Sequence, residues 1–491
     1  MPFLPPAAFL ALSLSSPAQP QSSVIIVGAG VAGLTAARAC AKAGVRVRLL
    51  EASDGVGGRV RTDRTEDGYL LDRGFQVFIE DYPEARRVLD YEQLQLQRFW
   101  PGALVLDGAS RAAVSDPLRR PQDTLTALLS PIGTPLDKLL LGILIIKVKY
   151  TQTFAQALTK EEQSTEDYLF GLGLSESIVD TFFRPFLQGV FLAPLSAQSS
   201  RMSELALQPR ASARHTRSQG WSPTRTPTLR SPPRFEAVFS VFSTGAACLP
   251  AAGLGAVPEQ MAAALPSQLC ELSLGTRVAS LQEGGVCLDD GTRLQADAVV
   301  VATEAPAATA LLATRTDAPP PPPLRRGLSS CCLYFCFEGA PPVTEPLLLL
   351  NARAGGQYGG PTAVVNNLCF PSAVAPSYAP PGCTLASVNV VGCPDIPEAE
   401  LVAQVRTQLE GWFGEAEVRE WRFLRRYVVA YAQPEQAPLL GADFNVPKRL
   451  GDGVFVCGDH TSTPTLNGAI ASGEAAAEAV LRDLAAGRQL G

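Results

Sequence analysis

Short apolar runs and longer helical stretches alternate along the chain. Residues 24–27 (Val-Ile-Ile-Val) form a run that ends in glycine, as a buried parallel strand does. A helix is predicted from there through Ala43, where Gly44 ends it, and residues 45–50 form a second strand. This is the opening of a doubly wound sheet. From Tyr82 to about Pro250 the pattern is mostly helical, broken by Pro and Gly. Near Gly253 the chain returns to the first unit. Residues 278–281 and 286–288, around the turn Asp289-Asp290-Gly291, read as hairpin strands, and 298–301 as a buried strand. Five prolines, Pro319 to Pro323, lead out again to strand-like runs at 332–337, 363–368 and 385–391 and a helix over 397–413. A buried strand at 454–457 and a helix over 469–484 close the chain.

The predicted fold class is therefore α/β. A discontinuous, Rossmann-like, doubly wound domain takes residues 24–81, 251–312 and 441–491. An α+β domain is inserted in two pieces, 82–250 and 313–440. At 491 residues the chain is long enough for two cores.

Composition removes several function classes. The net charge of −6 gives no reason to expect nucleic acid. Eleven cysteines form no C-x-x-C pair and no cluster with metal spacing, so no metal site is expected and a reducing compartment fits. Residues 205–233 contain many Ser, Thr, Pro and Arg and no acid, and are expected to be a disordered insert. Residues 1–23 are uncharged and bear serines and prolines; they read as a plastid targeting segment or a disordered tail, with a cytoplasmic location otherwise. The apolar stretch 139–146 is far shorter than the ~20 residues of a membrane span. Flanked by Lys138, Lys147 and Lys149, it reads either as a core helix or as a surface that touches a bilayer.

The chemistry concentrates at the two ends. Gly28-Ala29-Gly30-Val31-Ala32-Gly33 sits between a strand and a helix. Gly28 permits the tight turn, Gly30 the approach of a pyrophosphate, and Gly33 close helix–strand packing. Val31 and Ala32 open the helix whose N–H groups face the phosphates. Glu51 ends the second strand, where a carboxylate accepts hydrogen bonds from ribose hydroxyls. Gly55-Val56-Gly57-Gly58-Arg59-Val60-Arg61-Thr62 follows, a second glycine turn with Arg59 toward a diphosphate, and then Asp72-Arg73-Gly74-Phe75-Gln76. Near the other end lie Gly458-Asp459, after a strand, and Asn467-Gly468-Ala469, at the start of the last helix.

With these motifs the sequence resembles the flavin-containing amine oxidoreductase superfamily, which includes monoamine oxidases, protoporphyrinogen oxidase and phytoene desaturases. Phe183-Arg184-Pro185-Phe186, Val365-Asn366-Asn367-Leu368 and Tyr378-Ala379-Pro380-Pro381-Gly382 resemble its phytoene desaturase-like branch. The resemblance implies FAD, held by the glycines named above, Glu51, Arg59, Gln76, Val278, Gly458, Asp459, Asn467, Gly468 and Ala469. It places the last helix with its N-terminus facing the flavin pyrimidine ring, where a helix dipole favours the negative charge of the reduced form. No cysteine lies between Cys393 and Cys457 to tether a flavin, so non-covalent attachment is expected.

Amine-oxidising relatives place a lysine in mid-chain and an aromatic residue in the terminal motif. Here no lysine lies between Lys160 and Lys448, and the terminal motif is Asn467-Gly468-Ala469-Ile470. The only histidines are His215 and His460, and no catalytic residue is assigned. Arg184 reads as a substrate-orienting group or a structural ion pair. The expected reaction is hydride transfer from an apolar small molecule to the flavin, with oxygen or a quinone as final acceptor. The alternatives are a flavin amine oxidase and a non-catalytic, chaperone-like flavin protein.

Overall fold

A computed structural model describes residues 22–115, 119–151, 163–198, 246–315, 326–354, 364–435 and 446–489. The tail, the expected insert 205–233, His215 and the five-proline run lie outside the described residues. The helices that shape the site are α1 (Val31–Lys42), α2 (Pro83–Val88), α3 (Thr124–Leu129), α4 (Pro135–Thr151), α5 (Arg184–Phe191), α6 (Glu398–Phe413) and α7 (Leu466–Gln489).

The first sheet has six strands in the order Cys270–Ser273, Arg46–Leu50, Ser23–Val27, Ala298–Val301, Val454–Val456, Arg449–Gly451. All pairings are parallel except the last. Alternation along its central strands feeds two cores. Val24 and Ile26 pack with Leu34, Ala37 and Cys40 of α1 and with Ile470, Ala477 and Val480 of α7. Ile25 and Val27 pack with Val278, Leu281 and Val286 and with Leu311 on the opposite face. A sheet covered on both faces needs continuous apolar strands, and the residue pattern supplies them.

Two local differences from the sequence reading have clear causes. The strand Cys270–Ser273 was not expected: two of its four residues are exposed, so it shows no apolar run. The segment 278–295 is a three-stranded meander, not a hairpin. Its Asp289–Gly291 turn joins Gly285–Leu288 to Arg293–Gln295, a strand too short and too polar to stand out.

The second sheet has seven strands in the order Arg422–Pro434, Gly327–Glu338, Cys383–Val391, Asn367–Cys369, Leu348–Asn351, Gly102–Asp107, Ser110–Ser115. Only the pairing of Leu348–Asn351 with Gly102–Asp107 is parallel. One face carries Leu333, Phe335, Leu349, Leu368 and Val388 under Leu401, Val405 and Leu409 of α6. The other face carries Ser330, Leu350 and Asn367, which line a cavity, and Tyr334, which packs with Tyr69, Leu71 and Leu249.

Residues 82–250, read from sequence as mostly helical, thus include the hairpin 102–115. Its signal is the Asp107-Gly108 turn, with Gly108 at φ +55°, set in a weakly alternating stretch. Within the same range, Tyr82, Ala85, Leu89 and Leu94 pack into the core of the first sheet.

One buried carboxylate ties the small antiparallel pair Thr62–Arg64 and Leu70–Asp72 to the second sheet and the segments packed on it. Asp72 Oδ1 accepts from Thr62 Oγ1 (2.5 Å) and Leu254 N (2.9 Å), and Oδ2 accepts from Tyr378 Oη (2.8 Å). The Tyr334 hydroxyl donates to the Asp72 carbonyl at 3.0 Å. Burial pushes the Asp72 carboxyl up to about 6, even against those hydrogen bonds.

Candidate functional site

The site is assembled at the carboxyl ends of the parallel strands, where doubly wound sheets bind ligands. Gly28 follows the first strand at φ +105°, a backbone region that disfavours a side chain. Its N–H donates to Leu50 O at 2.7 Å, which closes the turn. A Cβ at Gly33 would lie 1.9 Å from Gly28 O, so only glycine lets α1 approach the turn this closely. A Cβ at Gly30 would meet nothing within 4 Å, because the backbone there faces open space. The first turn of α1 has no side-chain cap and no acidic residue, so its N–H groups remain available to an anion.

A cavity of about 1480 Å³ runs from this turn to the second sheet. Gly28, Gly30, Val31 and Ala32 line it from the first turn. Glu51, Gly57, Gly58, Arg59 and Gln76 line it from the segment that follows. Gly458, Asp459 and Ala469 line it from the C-terminal motifs. The two chain ends, some four hundred residues apart in sequence, thus wall one space.

Glu51 is already engaged. Its Oε2 accepts from Ala29 N at 2.8 Å, and its Oε1 from Ser53 N at 2.9 Å and Ser53 Oγ at 2.8 Å. Arg59 donates to both carboxylate oxygens of Asp459, at 2.9 and 2.7 Å, and to Ala432 O at 2.9 Å. Burial alone would raise the Asp459 carboxyl, but the adjacent Arg59 charge and its hydrogen bonds hold it below the usual carboxylate range. Gln76 Nε2 donates to Arg59 O at 2.8 Å and so fixes the backbone that carries the arginine.

Behind Gly458 runs a buried polar relay. Ser472 Oγ accepts from Gly458 N at 3.0 Å and lies 2.7 Å from Thr461 Oγ1, which Lys448 Nζ also contacts at 2.9 Å. Burial brings the Lys448 ammonium down to about 8.

Four sequence-predicted residues lie off the cavity wall. Gly33 packs behind the turn. Val278 is buried in the lower core of the first sheet, and its neighbour Arg277 reaches the cavity instead. Asn467 Oδ1 accepts from Glu84 N at 2.9 Å, which turns its amide toward α2. A Cβ at Gly468 would lie 2.0 Å from Thr463 O, so this glycine serves close packing at the start of α7. Thr465, Leu466 and Ala469 are the residues of that helix start that face the cavity. Arg184 bridges Glu166 (2.9 Å) and Asp180 (2.8 Å), the structural of its two readings. His460 is buried beside Asp459, with Nδ1 3.9 Å from Oδ1, and does not line the cavity.

Sequence reasoning missed Thr303 and Lys138. Thr303 follows the buried strand Ala298–Val301, a position that the carboxyl-end rule would have flagged. Its hydroxyl is buried at the cavity edge without a partner among the described residues. Lys138 lines the far end, where its Nζ donates to Leu128 O (2.7 Å) and Ser130 O (2.6 Å).

These features fit a dinucleotide: an uncapped helix start, an open backbone cradle, a carboxylate at the end of the second strand that would take the ribose, and a hydroxyl without a partner among the described residues, along one continuous space. Beyond them the cavity turns apolar. Leu141, Ile178, Phe182, Phe186, Leu348 and Leu350 wall this arm, with Phe182 and Phe186 stacked at 5.7 Å.

Comparison with known proteins identifies the family. The family described as "Flavin containing amine oxidoreductase" matches residues 31–481. An L-amino-acid oxidase of Bungarus fasciatus is 46% identical over 78 residues, 16% of this chain and 15% of the relative. The 15-cis-phytoene desaturase, chloroplastic/chromoplastic, of Arabidopsis thaliana is 38% identical over 84 residues, 17% of this chain and 15% of the relative. The matched stretches therefore span about 15% of these relatives' length. The crystal structure of a putative protoporphyrinogen oxidase from Exiguobacterium sp. 255-15 superposes with a TM-score of 0.63 at 17% identity, covering 94% of this chain and 99% of that one. At that identity the likeness concerns the fold.

Proposed function

The chain belongs to the flavin containing amine oxidoreductase family, and from that premise we propose that it oxidises an apolar substrate by hydride transfer to FAD. Membership makes it an FAD-dependent oxidoreductase; the substrate is our reading. Bound FAD supplies the two-electron acceptor. The protein contributes its placement: the uncapped start of α1 and Arg59 hold the diphosphate region, and Glu51 the ribose. The apolar arm orients the substrate and excludes water.

The observation that carries this reading is the charge of the arm. Among the described residues between Trp100 and Val190, the charged side chains on the cavity wall are Arg119 and Lys138, both cationic. An ammonium entering that arm would be desolvated beside like charge, at a cost of several kcal/mol (roughly). A neutral polyene or cyclic isoprenoid has no such cost. The test is anaerobic mixing of the oxidised protein with spermine, tyramine and a carotenoid precursor in liposomes. Bleaching by the precursor is expected; bleaching by an amine alone would overturn the reading.

We further propose that the protein meets its substrate at a bilayer surface. Leu125, Leu128 and Leu129 of α3 and Leu136, Leu139 and Ile143 of α4 are all more than half exposed, and α3 and α4 also wall the arm. Among the described residues no helix is long and apolar enough to cross a membrane, which fits a surface contact rather than a span. Of the two sequence readings of this stretch, the exposed leucines favour the bilayer. Oxygen and a quinone remain the proposed final acceptors, and nucleic acid is not a proposed partner. The plastid expectation for residues 1–23 is tested by a fluorescent fusion of that segment.

A further inference from the structure

The cavity-facing side of the second sheet is not uniformly apolar. Asn367, only 2% exposed, lines the cavity next to Leu350, Gly189 and Val190. Its amide belongs to a chain of hydrogen bonds whose direction is fixed at one end. The Pro185 carbonyl can only accept, so Asn366 Nδ2 is the group that lies 2.9 Å from it. That same Nδ2 donates to Asn367 Oδ1 at 2.8 Å. Asn389 Nδ2 donates to the same oxygen at 2.9 Å, and Asn389 Oδ1 accepts from Ser330 Oγ at 2.9 Å. The oxygen of Asn367 is thus saturated by two donors. Its Nδ2 makes no hydrogen bond to the described residues and is not fully enclosed by protein, so it opens on the cavity. Rotating the amide would set Nδ2 against two other donors and leave a buried oxygen unpaired, so the orientation is locked.

Gly189 is part of the arrangement. A Cβ there would lie 2.8 Å from Asn367 Oδ1 and 2.8 Å from Asn366 Nδ2. The absence of a side chain on α5 leaves room for both amides.

We propose that Asn367 Nδ2 is a substrate-recognising donor, and that the substrate is an apolar molecule bearing a hydrogen-bond acceptor oxygen, such as a ketone. A donor stripped of water by a bound ligand costs free energy if it is left unpaired, and an acceptor oxygen on an otherwise apolar ligand removes that cost. A pure hydrocarbon leaves it in place. This inference rests on the apolar-substrate reading and narrows it.

The test uses the flavin-loaded full chain and two probes of the same carbon skeleton. One is β-ionone; the other is the hydrocarbon that lacks its carbonyl oxygen. Affinity is read from the perturbation of the flavin absorption spectrum, without turnover. The wild-type protein is expected to bind the ketone about tenfold more tightly, the worth of one hydrogen bond in a dry site. Asn367→Leu should bring the two affinities level by weakening the ketone alone. Gly189→Ala, whose methyl displaces the amides, should shrink the preference while keeping Asn367. Equal wild-type affinities, or a preference that survives Asn367→Leu, would overturn the assignment and leave the apolar reading intact. Binding of neither probe would overturn both.

Discussion

At the scale of single residues the site depends on a few unforgiving contacts. Asp459 is buried and its charge is matched by Arg59, so Arg59→Ala leaves an uncompensated carboxylate. The expected cost is about 3 kcal/mol of stability together with loss of flavin, read by denaturant titration and by the yellow colour of the purified protein. Glu51→Arg should release the flavin with a smaller loss of stability, because Ala29 N and Ser53 lose an acceptor at a partly exposed position. Both residues were legible in the sequence, since a glycine turn between strand and helix dictates what surrounds it. Asn467 shows where that logic stops. A motif places its backbone at the helix start, but only the neighbouring α2, far away in sequence, decides which way its amide turns.

At the scale of elements the decisive contact is between α1 and α7. A Cβ at Gly473 would lie 2.3 Å from Ala32 O, so the two helices touch backbone to backbone there. Gly473→Ala must push them apart, and Ala32 lines the cavity. A loss of about 2 kcal/mol and weaker flavin retention are expected, measured by thermal melting with and without added FAD. The leucines of α3 and α4 have a separate readout. Replacing Leu125, Leu129 and Leu139 by serine should abolish flotation with anionic liposomes and leave flavin content unchanged; unchanged flotation would sink the bilayer proposal. The four inner strands of the first sheet were readable because apolar runs mark strands buried on both faces, whereas its two edge strands, Cys270–Ser273 and Arg449–Gly451, carry no such run. The hairpin 102–115 was not, since its outer strand has no fully buried residue.

At the scale of the whole molecule Asp72 ties the segment after the second glycine turn to the second sheet and sets a pH dependence. Its folded pKa of about 6 lies above the ordinary value of 3.8, so folding favours the neutral acid. That contribution is fully present below about pH 4 and is lost as pH rises through 6, amounting to about 3 kcal/mol. Urea unfolding at pH 4.5 and 7 should show it, and Asp72→Asn should flatten this part of the profile. A slope that survives in the variant would assign it to other groups.

The order of strands in the first sheet also constrains how the protein is made. Ala298–Val301 pairs with Ser23–Val27 on one side, but its other partner, Val454–Val456, lies far downstream in the chain. During synthesis a nascent chain therefore holds an apolar strand edge open while more than a hundred and fifty residues are still to be added. Gly458 and Asp459 reach the cavity later still. Cofactor uptake must await the strand Val454–Val456 and the cavity residues that follow it, and until then the chain is a substrate for chaperones before it can be a flavoprotein.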